Sequence, residues 1–281
     1  MRGLNLKLAR IFGAFLVALA FAANAINAEE IGNGEAAIIV IKDEFASKLT
    51  IDGRPAKWFA HPAKKGYKVA FFSASYRAKK DIKVKNGDAV NFGVTIFKLA
   101  QRPYKKEMLS VEPAKVNPPK TALARIKAEY KEASKVYANP APKLLFNSKF
   151  EMPLNSKITS PFGTARMFNG SLKSYHSGMD YRAAVGVEIR AANAGIVRIA
   201  KDRYYAGNSV VIDHGGGIFT QYYHLSKIAV KVGQKVEKGE LLGLSGASGR
   251  VSGPHLHFGV MVGGSQVNPL DFVNKVNMLF D

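Results

Sequence analysis

The sequence predicts a mainly β protein in which a small β-rich N-terminal domain and a linking helix precede a C-terminal antiparallel β domain. Three observations predict this order: short apolar runs broken by turn residues up to about Pro118, one helical period between two proline clusters, and glycine-punctuated strands after Phe150. The 281 residues, 47% of them hydrophobic, are enough for roughly two domains. Because the chain has no cysteine, no disulfide can stabilise the fold, and packed cores must do so.

Residues 1–28 have the form of a secretory signal peptide. Three basic residues among the first ten precede an apolar run over 11–23. That run is shorter than the roughly 20 residues a membrane-spanning helix needs. Small residues then allow cleavage after Ala25 or after Ala28. We therefore expect export across the inner membrane to the periplasm or cell envelope, with no stable membrane span after cleavage.

The formal net charge of +20 is concentrated in the first half of the chain. Residues 1–150 carry +15 and residues 151–281 carry +5. Nucleic acid is one anionic partner to consider, but the sequence has no Cys-His finger, no RRM-like aromatic motif and no heptad-bearing basic helix, so we expect no nucleic acid partner. An anionic cell envelope fits the charge, as does an ordinary solvated lysine surface.

The N-terminal β-rich domain is predicted over residues 29–118. Asn86-Gly87 stands between two short alternating runs and predicts a hairpin turn. Trp58 and His61 carry no chemical signature, and we interpret His61 as a surface residue. A binding or spacer role is the most that this domain supports.

A linking helix and a Pro-rich connector are predicted over residues 119–149. Five apolar residues recur at spacings of three and four and predict one buried helix face: Leu123, Ile126, Tyr130, Ala133 and Tyr137. The prolines at 140 and 142 end the helix. We interpret its mixed-sign charged residues as a solvated face.

Residues 150–281 form the domain that carries the chemical signal. His255 and His257 alternate with Leu256 and Phe258, as in a strand, so both histidines are predicted to face one site. His224 lies in a second patch of this domain. His214 follows a strand and precedes three glycines, so we interpret it as a turn residue and not as a ligand.

A third patch contains His176 and Asp180. A catalytic zinc takes three protein ligands from histidine and carboxylate and keeps one position open. His176, Asp180 and one histidine of the pair at 255 and 257 would supply that set. Because Ser177-Gly178 is poor helix material, we expect a loop that runs into a strand near Met179.

Three motifs in this order resemble a known family. His-x-x-x-Asp at 176–180, Tyr-x-His-Leu-Ser at 222–226 and Gly-Pro-His-Leu-His-Phe at 253–258 are similar to those of the lysostaphin-type (LytM/LasA-like) zinc metalloendopeptidases, which cut peptide bonds in peptidoglycan. Tyr223 occupies the variable position of the middle motif, Tyr222-Tyr223-His224-Leu225-Ser226. The resemblance covers roughly residues 150–275. It implies a lysostaphin/LytM-like, barrel-sandwich-like catalytic domain at 150–281.

The resemblance also implies roles for individual residues. His176, Asp180 and His257 become the ligands of one Zn²⁺ per chain, and His224 and His255 become the catalytic histidines. One of these two would act as general base and the other would stabilise the oxyanion, and the sequence leaves both assignments open. Arg166 and Asn169, near the His176 loop, are candidates for the substrate groove.

The implied substrate is peptidoglycan, in wall remodelling and cell shape. The favoured bonds are D-Ala-to-diaminopimelate cross-links. Some relatives have lost zinc ligands and activate wall amidases without catalysis, so a non-catalytic LytM-like regulator is the alternative. In others an N-terminal segment covers the zinc. Intramolecular inhibition by the N-terminal domain would make a chain starting near Phe150 more active than the mature chain.

Overall fold

The computed structural model describes residues 17–18, 26–88, 92–109, 118–168 and 171–281. The predicted signal peptide lies outside the described residues, except for a two-residue strand at 17–18 and the start of another strand at Ile26. The predicted mainly β fold is confirmed, and the described strands do not close into a barrel. Neither helix among the described residues is long and apolar enough to cross a membrane.

Two sheets form most of the N-terminal region. The five-stranded sheet has the order β2-β9-β8-β4-β5, and the four-stranded sheet has the order β1-β3-β7-β6. The strands of this region are β1 (Val17–Ala18), β2 (Ile26–Gly32), β3 (Ala36–Lys42), β4 (Leu49–Ile51), β5 (Arg54–Ala56), β6 (Phe59–Ala60), β7 (Tyr67–Ser73), β8 (Ile82–Gly87), β9 (Phe92–Ala100) and β10 (Lys106–Leu109). A short 3-10 turn, Asp43–Phe45, follows β3.

The predicted hairpin exists, but its turn was misplaced. β8 and β9 pair antiparallel, and Gly87 is still opposite Phe92, so Asn86 and Gly87 lie inside the strand. The Asn86 side chain accepts a hydrogen bond from the Ser47 backbone N–H and donates one to the Phe45 carbonyl. Asn86 is therefore used to hold a neighbouring loop, a long-range role that a local turn signal cannot reveal.

The sheet that contains β3 and β7 is buried on both faces. Ile39 and Phe72 pack with Phe97 in a core between the two N-terminal sheets. Ile38 and Phe71 point the other way, into a larger core shared with the C-terminal region. This explains why β3 is a continuous apolar run instead of an alternating one, as strands covered on both sides are.

The linking helix, α1 (Lys120–Tyr137), is present, but its buried face differs from the prediction. Leu123 and Tyr130 are 50% and 76% exposed. Ala122 is buried, and Ala133 and Tyr137 pack against a small core beside β16 and β18. The exposed and packed faces are therefore rotated relative to the predicted apolar stripe.

Polar contacts orient α1. Arg125 pairs with Asp202 at 2.7 Å, and Glu129 accepts the Tyr204 backbone N–H at 2.9 Å. Gln221 donates to the Tyr137 hydroxyl at 2.8 Å. Several charged and polar groups of the helix thus bind the β domain, although we had interpreted the charged face as solvated.

The C-terminal region is built on one ten-stranded sheet whose main path is β11-β14-β21-β18-β17-β16-β19. Every described strand pair within residues 150–281 is antiparallel, as predicted. A separate three-stranded sheet joins β10 to the hairpin β12–β13. The strands are β11 (Ile158–Ser160), β12 (Ala165–Phe168), β13 (Ser171–Tyr175), β14 (Met179–Arg182), β15 (Glu188–Arg190), β16 (Gly195–Arg203), β17 (Gly207–Asp213), β18 (Ile218–Ile228), β19 (Lys235–Val236), β20 (Leu241–Ser245), β21 (His255–Val262) and β22 (Ser265–Val267).

A C-terminal helix, α2 (Pro269–Asn277), closes the larger core and is followed by a 3-10 turn, Met278–Phe280. The Asn268 side chain caps its first turn by accepting the Leu270 N–H, and Pro269 occupies the first helical position. Phe272 is fully buried and packs edge-on against Phe150 at 5.5 Å. The helix therefore covers the end of the sheet nearest the N-terminal region.

Candidate metal centre

Two adjacent strands and the loop after β13 bring the predicted ligands together. β21 lies between β14 and β18, and the antiparallel register places Asp180 directly opposite His257. His176 follows β13 immediately and is tied to the next loop, because its N–H donates to the Thr164 carbonyl and its carbonyl accepts the Gly163 N–H. The predicted loop running into a strand at Met179 is the one observed.

The three ligand atoms form a nearly equilateral triangle. His176 Nε2 lies 3.0 Å from Asp180 Oδ1 and 3.0 Å from His257 Nδ1. His257 Nδ1 lies 3.0 Å from Asp180 Oδ1. Among the described residues this is the group of histidines and carboxylates whose geometry could hold a metal ion.

Neighbouring groups set the ionisation states of the ligands. Burial alone would raise the pKa of Asp180, but the close imidazoles of His176 and His257 lower it well below its usual range, so the carboxylate is ionised. His176 Nδ1 lies 3.0 Å from the Pro161 carbonyl, which requires a proton on Nδ1 and leaves Nε2 free to ligate. Burial lowers the pKa of His257, which disfavours its protonated form.

His257 is enclosed on several sides. Its ring stacks on the Tyr223 ring, with centroids 5.2 Å apart and planes 9° apart. The Arg203 guanidinium in turn lies over the Tyr223 ring, 4.8 Å from its centroid. A Cβ on Gly178 would lie 2.6 Å from His257 Nε2. The glycine of the His-x-x-x-Asp motif is thus required for close packing against this ligand.

The two remaining histidines stand beside the ligands. His224 Nδ1 donates to the Ser248 carbonyl at 2.9 Å, and His255 Nδ1 donates to the Gly253 carbonyl at 2.8 Å. Each ring therefore keeps Nε2 unprotonated when neutral, and His255 Nε2 lies 3.7 Å from Asp180 Oδ1. The two rings are 4.8 Å apart, and burial lowers the pKa of His224 to about 4.

A β-bulge directs His224 into the site. Between the pairs Asn208–Leu225 and Val210–Tyr222, β18 has one residue more than β17. His224 has a φ of 65°, in the left-handed region that non-glycine residues rarely adopt. As a result the consecutive residues Tyr223 and His224 both line the cleft, whereas in a regular strand they would face opposite sides.

The site opens into a cleft of about 470 Å³. Besides the five predicted residues it is lined by Tyr175, Tyr205 and Arg250. The Arg250 guanidinium lies 4.4 Å from the centroid of the Tyr205 ring. The sequence predicted neither residue for the cleft, since a local pattern gives no sign of which loop side chain will reach it.

The other sequence candidates have different positions. Arg166 is in β12, opposite Ser174 of β13, and Asn169 lies outside the described residues. His214 is fully buried away from the cleft, with Nδ1 donating to the Ala194 carbonyl and Nε2 2.8 Å from Thr220 Oγ1. His61 accepts the backbone N–H groups of Ala63 and Lys64, which is a local capping role.

Comparison with a family model decides the affiliation of this domain. Residues 174–269, which contain all five cleft histidine and aspartate residues, match the model of peptidase family M23. These residues form a peptidase family M23 domain. A structure of a putative M23 peptidase from Pseudomonas aeruginosa matches with a TM-score of 0.67 and 26% identity, covering 88% of this chain and 96% of that one.

Curated relatives match only over the M23 domain. The peptidoglycan DD-endopeptidase ShyA of Vibrio cholerae is 43% identical over 121 residues, which are 42% of this chain and 28% of that protein. The DD-carboxypeptidase/endopeptidase Mpg of Neisseria meningitidis is 36% identical over 115 residues, 41% of this chain and 26% of that protein. The chain therefore spans about a quarter of the length of these relatives.

Proposed function

We propose that the chain is a zinc-dependent peptidoglycan endopeptidase that hydrolyses peptide bonds in wall stem peptides or cross-links. The observation that carries the proposal is the triangle of His176, Asp180 and His257 at the floor of an open cleft, with two further histidines beside it. The favoured bond is the D-Ala-to-diaminopimelate cross-link. The names of the M23 relatives support a peptidoglycan substrate.

The donor set fits zinc. Tetrahedral Zn²⁺ with bonds of about 2.0–2.1 Å separates its ligand atoms by roughly 3.3 Å, close to the 3.0 Å separations observed here. His176 Nε2, Asp180 Oδ1 and His257 Nδ1 would hold the ion. When bound, zinc supplies Lewis acidity that polarises a peptide carbonyl and makes a water molecule more nucleophilic at neutral pH.

The two unligated histidines would move protons. Hydrogen bonds to the Ser248 and Gly253 carbonyls hold the Nδ1–H groups of His224 and His255, so each Nε2 is the basic atom on the cleft side. One imidazole can take the proton of the attacking water and give it to the leaving amine. The other, when protonated at Nε2, can donate to the oxyanion of the tetrahedral intermediate.

The proposed location is the periplasm or cell envelope, reached through a signal peptide. Strand β2 begins at Ile26 and pairs with β9 along its whole length. Cleavage after Ala25 would leave β2 complete, whereas cleavage after Ala28 would remove three of its residues. We therefore favour Ala25 as the cleavage position, which N-terminal sequencing of the secreted protein would test.

Two other predictions concern the same cleft. A non-catalytic activator of wall amidases is the alternative, and the convergence of all five predicted residues on one cleft favours catalysis. Intramolecular inhibition stays a prediction. The described residues that line the cleft lie between Ser174 and His257, so none of them comes from the N-terminal sheets.

The test combines metal content with digestion of purified sacculi. We expect about one zinc per chain and release of muropeptides from the wild type, with both lost in His257→Ala. His61→Ala, which removes a histidine outside the cleft, is the matched control and should keep both. His224→Ala and His255→Ala should keep zinc but lose activity by roughly 10²–10⁴-fold.

Each part of the proposal has a result that would contradict it. A zinc-loaded wild-type chain that releases no muropeptides would exclude the endopeptidase and leave the activator. Cleavage of glycyl bridges with cross-linked dimers left intact would exclude the D-Ala-to-diaminopimelate bond. Full activity of His257→Ala would exclude the ligand assignment.

A further inference from the structure

A second concavity, which we call the junction pocket, lies where the N-terminal sheets meet the hairpin β12–β13. Its volume is about 670 Å³, and its lining includes Tyr76, Arg77, Lys79, Arg102, Tyr104 and Lys106. The two tyrosine hydroxyls are already used, because Tyr76 donates to the Gly163 carbonyl at 3.0 Å and Tyr104 donates to the Asn33 carbonyl at 2.5 Å. The tyrosines therefore contribute ring surface, and the basic side chains supply the free polar groups.

Three of the four basic side chains of this pocket have no ion partner among the described residues. Arg102 pairs with Glu35 at 2.5 Å and with Glu30 at 3.2 Å, so it is neutralised. Arg77, Lys79 and Lys106 form no ion pair with any described residue, and no carboxylate is among the described lining residues. Three cations that have no ion partner among the described residues thus line one depression.

Two lysines elsewhere in the N-terminal half are paired. Lys68 lies 2.8 Å from Asp43, and Lys98 lies 2.8 Å from Asp81. The unpaired charges at the junction pocket form a local site of positive potential, and such a concave site concentrates anionic ligands.

The junction pocket shares a wall with the metal cleft. Tyr175 lines the cleft and Tyr76 lines the pocket, and their rings stack with centroids 3.9 Å apart and planes 4° apart. Ala165, at the pocket floor, is the strand partner of Tyr175. Arg77 follows Tyr76 in the chain and also lines the pocket, so it lies beside the shared wall.

We propose that the junction pocket binds carboxylate groups of peptidoglycan stem peptides adjacent to the peptide held in the metal cleft. This inference rests on the proposed function for the choice of polymer. Stem peptides carry free carboxylates at short intervals, and a cross-link joins two stem peptides. When one stem peptide occupies the cleft, the peptide joined to it therefore presents further carboxylates nearby. The Tyr76 ring already stacks on Tyr175 and contacts Tyr104, so base stacking, and with it nucleic acid, fits the pocket poorly.

The test compares two variants that lose the same charge. Arg77→Gln/Lys79→Gln/Lys106→Gln removes the junction cations. Lys227→Gln/Lys231→Gln/Lys235→Gln, called the far-hairpin variant, removes three exposed lysines of the M23 domain that line neither the junction pocket nor the metal cleft. Zinc-loaded proteins are measured for binding to purified sacculi at 50–300 mM NaCl, a range chosen so that screening changes by roughly two-fold. They are also measured for kcat/KM on sacculi and on a short soluble cross-linked peptide.

We expect the junction variant to bind sacculi about 10-fold more weakly than the wild type at low salt, since each exposed charge contact is modest. Its dependence on salt should be smaller, and kcat/KM on the short peptide should be unchanged. The far-hairpin variant should bind as the wild type does. Sacculi whose carboxylates have been amidated should bind the wild type and the junction variant equally.

Three results would overturn the proposal. Equal losses in the two variants would show a general charge effect, and no loss in the junction variant would show that the pocket is not used. Displacement of the wild type by inorganic phosphate, but not by NaCl of equal ionic strength, would assign the pocket to phosphate instead of carboxylate. A wild type that cleaves neither substrate would defeat the proposed function, while the binding measurements would still decide the pocket.

Discussion

Gly178 packs so closely against the metal site that no larger side chain fits there. A Cβ there would lie 2.5 Å from the Phe258 carbonyl oxygen and 2.6 Å from His257 Nε2. We expect Gly178→Ala to displace His257 from the triangle and to weaken zinc binding by at least about 10-fold, since ligand positions must be kept within a few tenths of an ångström. Competition with a chelator measures this.

Gly253→Ala is the matched control for that substitution. It lies beside the same cleft, and a Cβ there would meet nothing within 4 Å. The control should keep the zinc affinity of the wild type. Equal zinc affinity in the two variants would contradict the packing argument.

His214 makes the unfolding free energy depend on pH. Burial lowers its pKa to about 4, whereas an unfolded histidine titrates near about 6.5. The unfolded chain therefore takes up a proton first, and the stability present above pH about 6.5 is lost as pH falls towards 4. At roughly 1.4 kcal/mol per unit, this residue contributes about 2 kcal/mol of that loss between pH 6.5 and 5.

His214→Gln isolates this contribution. Urea unfolding of the metal-free proteins at pH 7 and pH 5 should give a smaller stability difference between wild type and variant at pH 5. The metal ligands also titrate, but they do so in both proteins, so their effect cancels in the difference. A difference that is the same at both pH values would contradict the assignment of a neutral buried His214.

Only some of the site residues could be placed from the sequence pattern. The His-x-His alternation is local, so both histidines could be placed on one strand face from the pattern alone. Tyr223 and His224 are adjacent and both reach the cleft only because of the bulge in β18. A bulge depends on pairing with β17 and leaves no periodic signal, so the position of His224 followed from the resemblance and not from the strand pattern.

Among the elements, α1 shows how tertiary contacts override a periodic pattern. Its existence and its end at Pro140 were predictable, since helical spacing and proline are local signals. Its orientation is set by the pairs Arg125–Asp202 and Glu129–Tyr204, with residues about 75 positions away along the chain. Leu123 and Tyr130 consequently face outwards, which no linear pattern could show.

The stack of Tyr76 on Tyr175 links an N-terminal loop to a metal ligand. Tyr175 precedes His176, and Tyr76 also donates to the carbonyl of Gly163, whose N–H donates to the His176 carbonyl. We expect Tyr76→Leu to weaken zinc binding several-fold because both contacts are lost. Tyr76→Phe, which keeps the stack, should retain most of the affinity; aromatic pairs of this kind contribute about 0.5–1.5 kcal/mol.

Phe97→Leu is the control that separates an effect on the position of the zinc ligands from a loss of fold stability. Phe97 is also buried, but it lies in the core between the two N-terminal sheets, whereas Tyr76 belongs to the core shared with the metal site. It should lower the melting temperature without changing the zinc dissociation constant. If Phe97→Leu weakens zinc binding as much as Tyr76→Leu does, Tyr76 acts only through stability.

At the scale of the whole molecule, the N-terminal region and the M23 domain share one core. Phe71 from β7 packs edge-on with Phe146 at 6.5 Å, and Phe146 packs with Phe150 at 5.0 Å. Lys275 of α2 lies 3.2 Å from Glu35 and donates to the Ala36 carbonyl at 3.0 Å. The apolar run of β3 was visible in the sequence, but the partner of its second face was not, because it comes from residues more than 100 positions away.

Because of this shared core, we expect a shortened chain to be less active, which is the opposite of what intramolecular inhibition predicts. Intramolecular inhibition predicts that residues 150–281 alone are more active than the chain from Ile26. Removal of the N-terminal region would instead expose Phe162, Tyr175 and Phe272, which lie in the shared core. We expect residues 150–281 to melt at a lower temperature, to bind zinc more weakly and to be less active on the short cross-linked peptide than the chain from Ile26.

Phe71→Ala in the longer chain distinguishes the two explanations. It leaves every N-terminal strand in place but removes a ring from the shared core, at a cost of about 3–5 kcal/mol. If the core contact supports the metal site, Phe71→Ala should lose zinc affinity and activity together, in the same direction as residues 150–281. If the N-terminal region inhibits the enzyme, loosening the contact should raise activity at a temperature where the variant is still folded, and that rise would refute the supporting role.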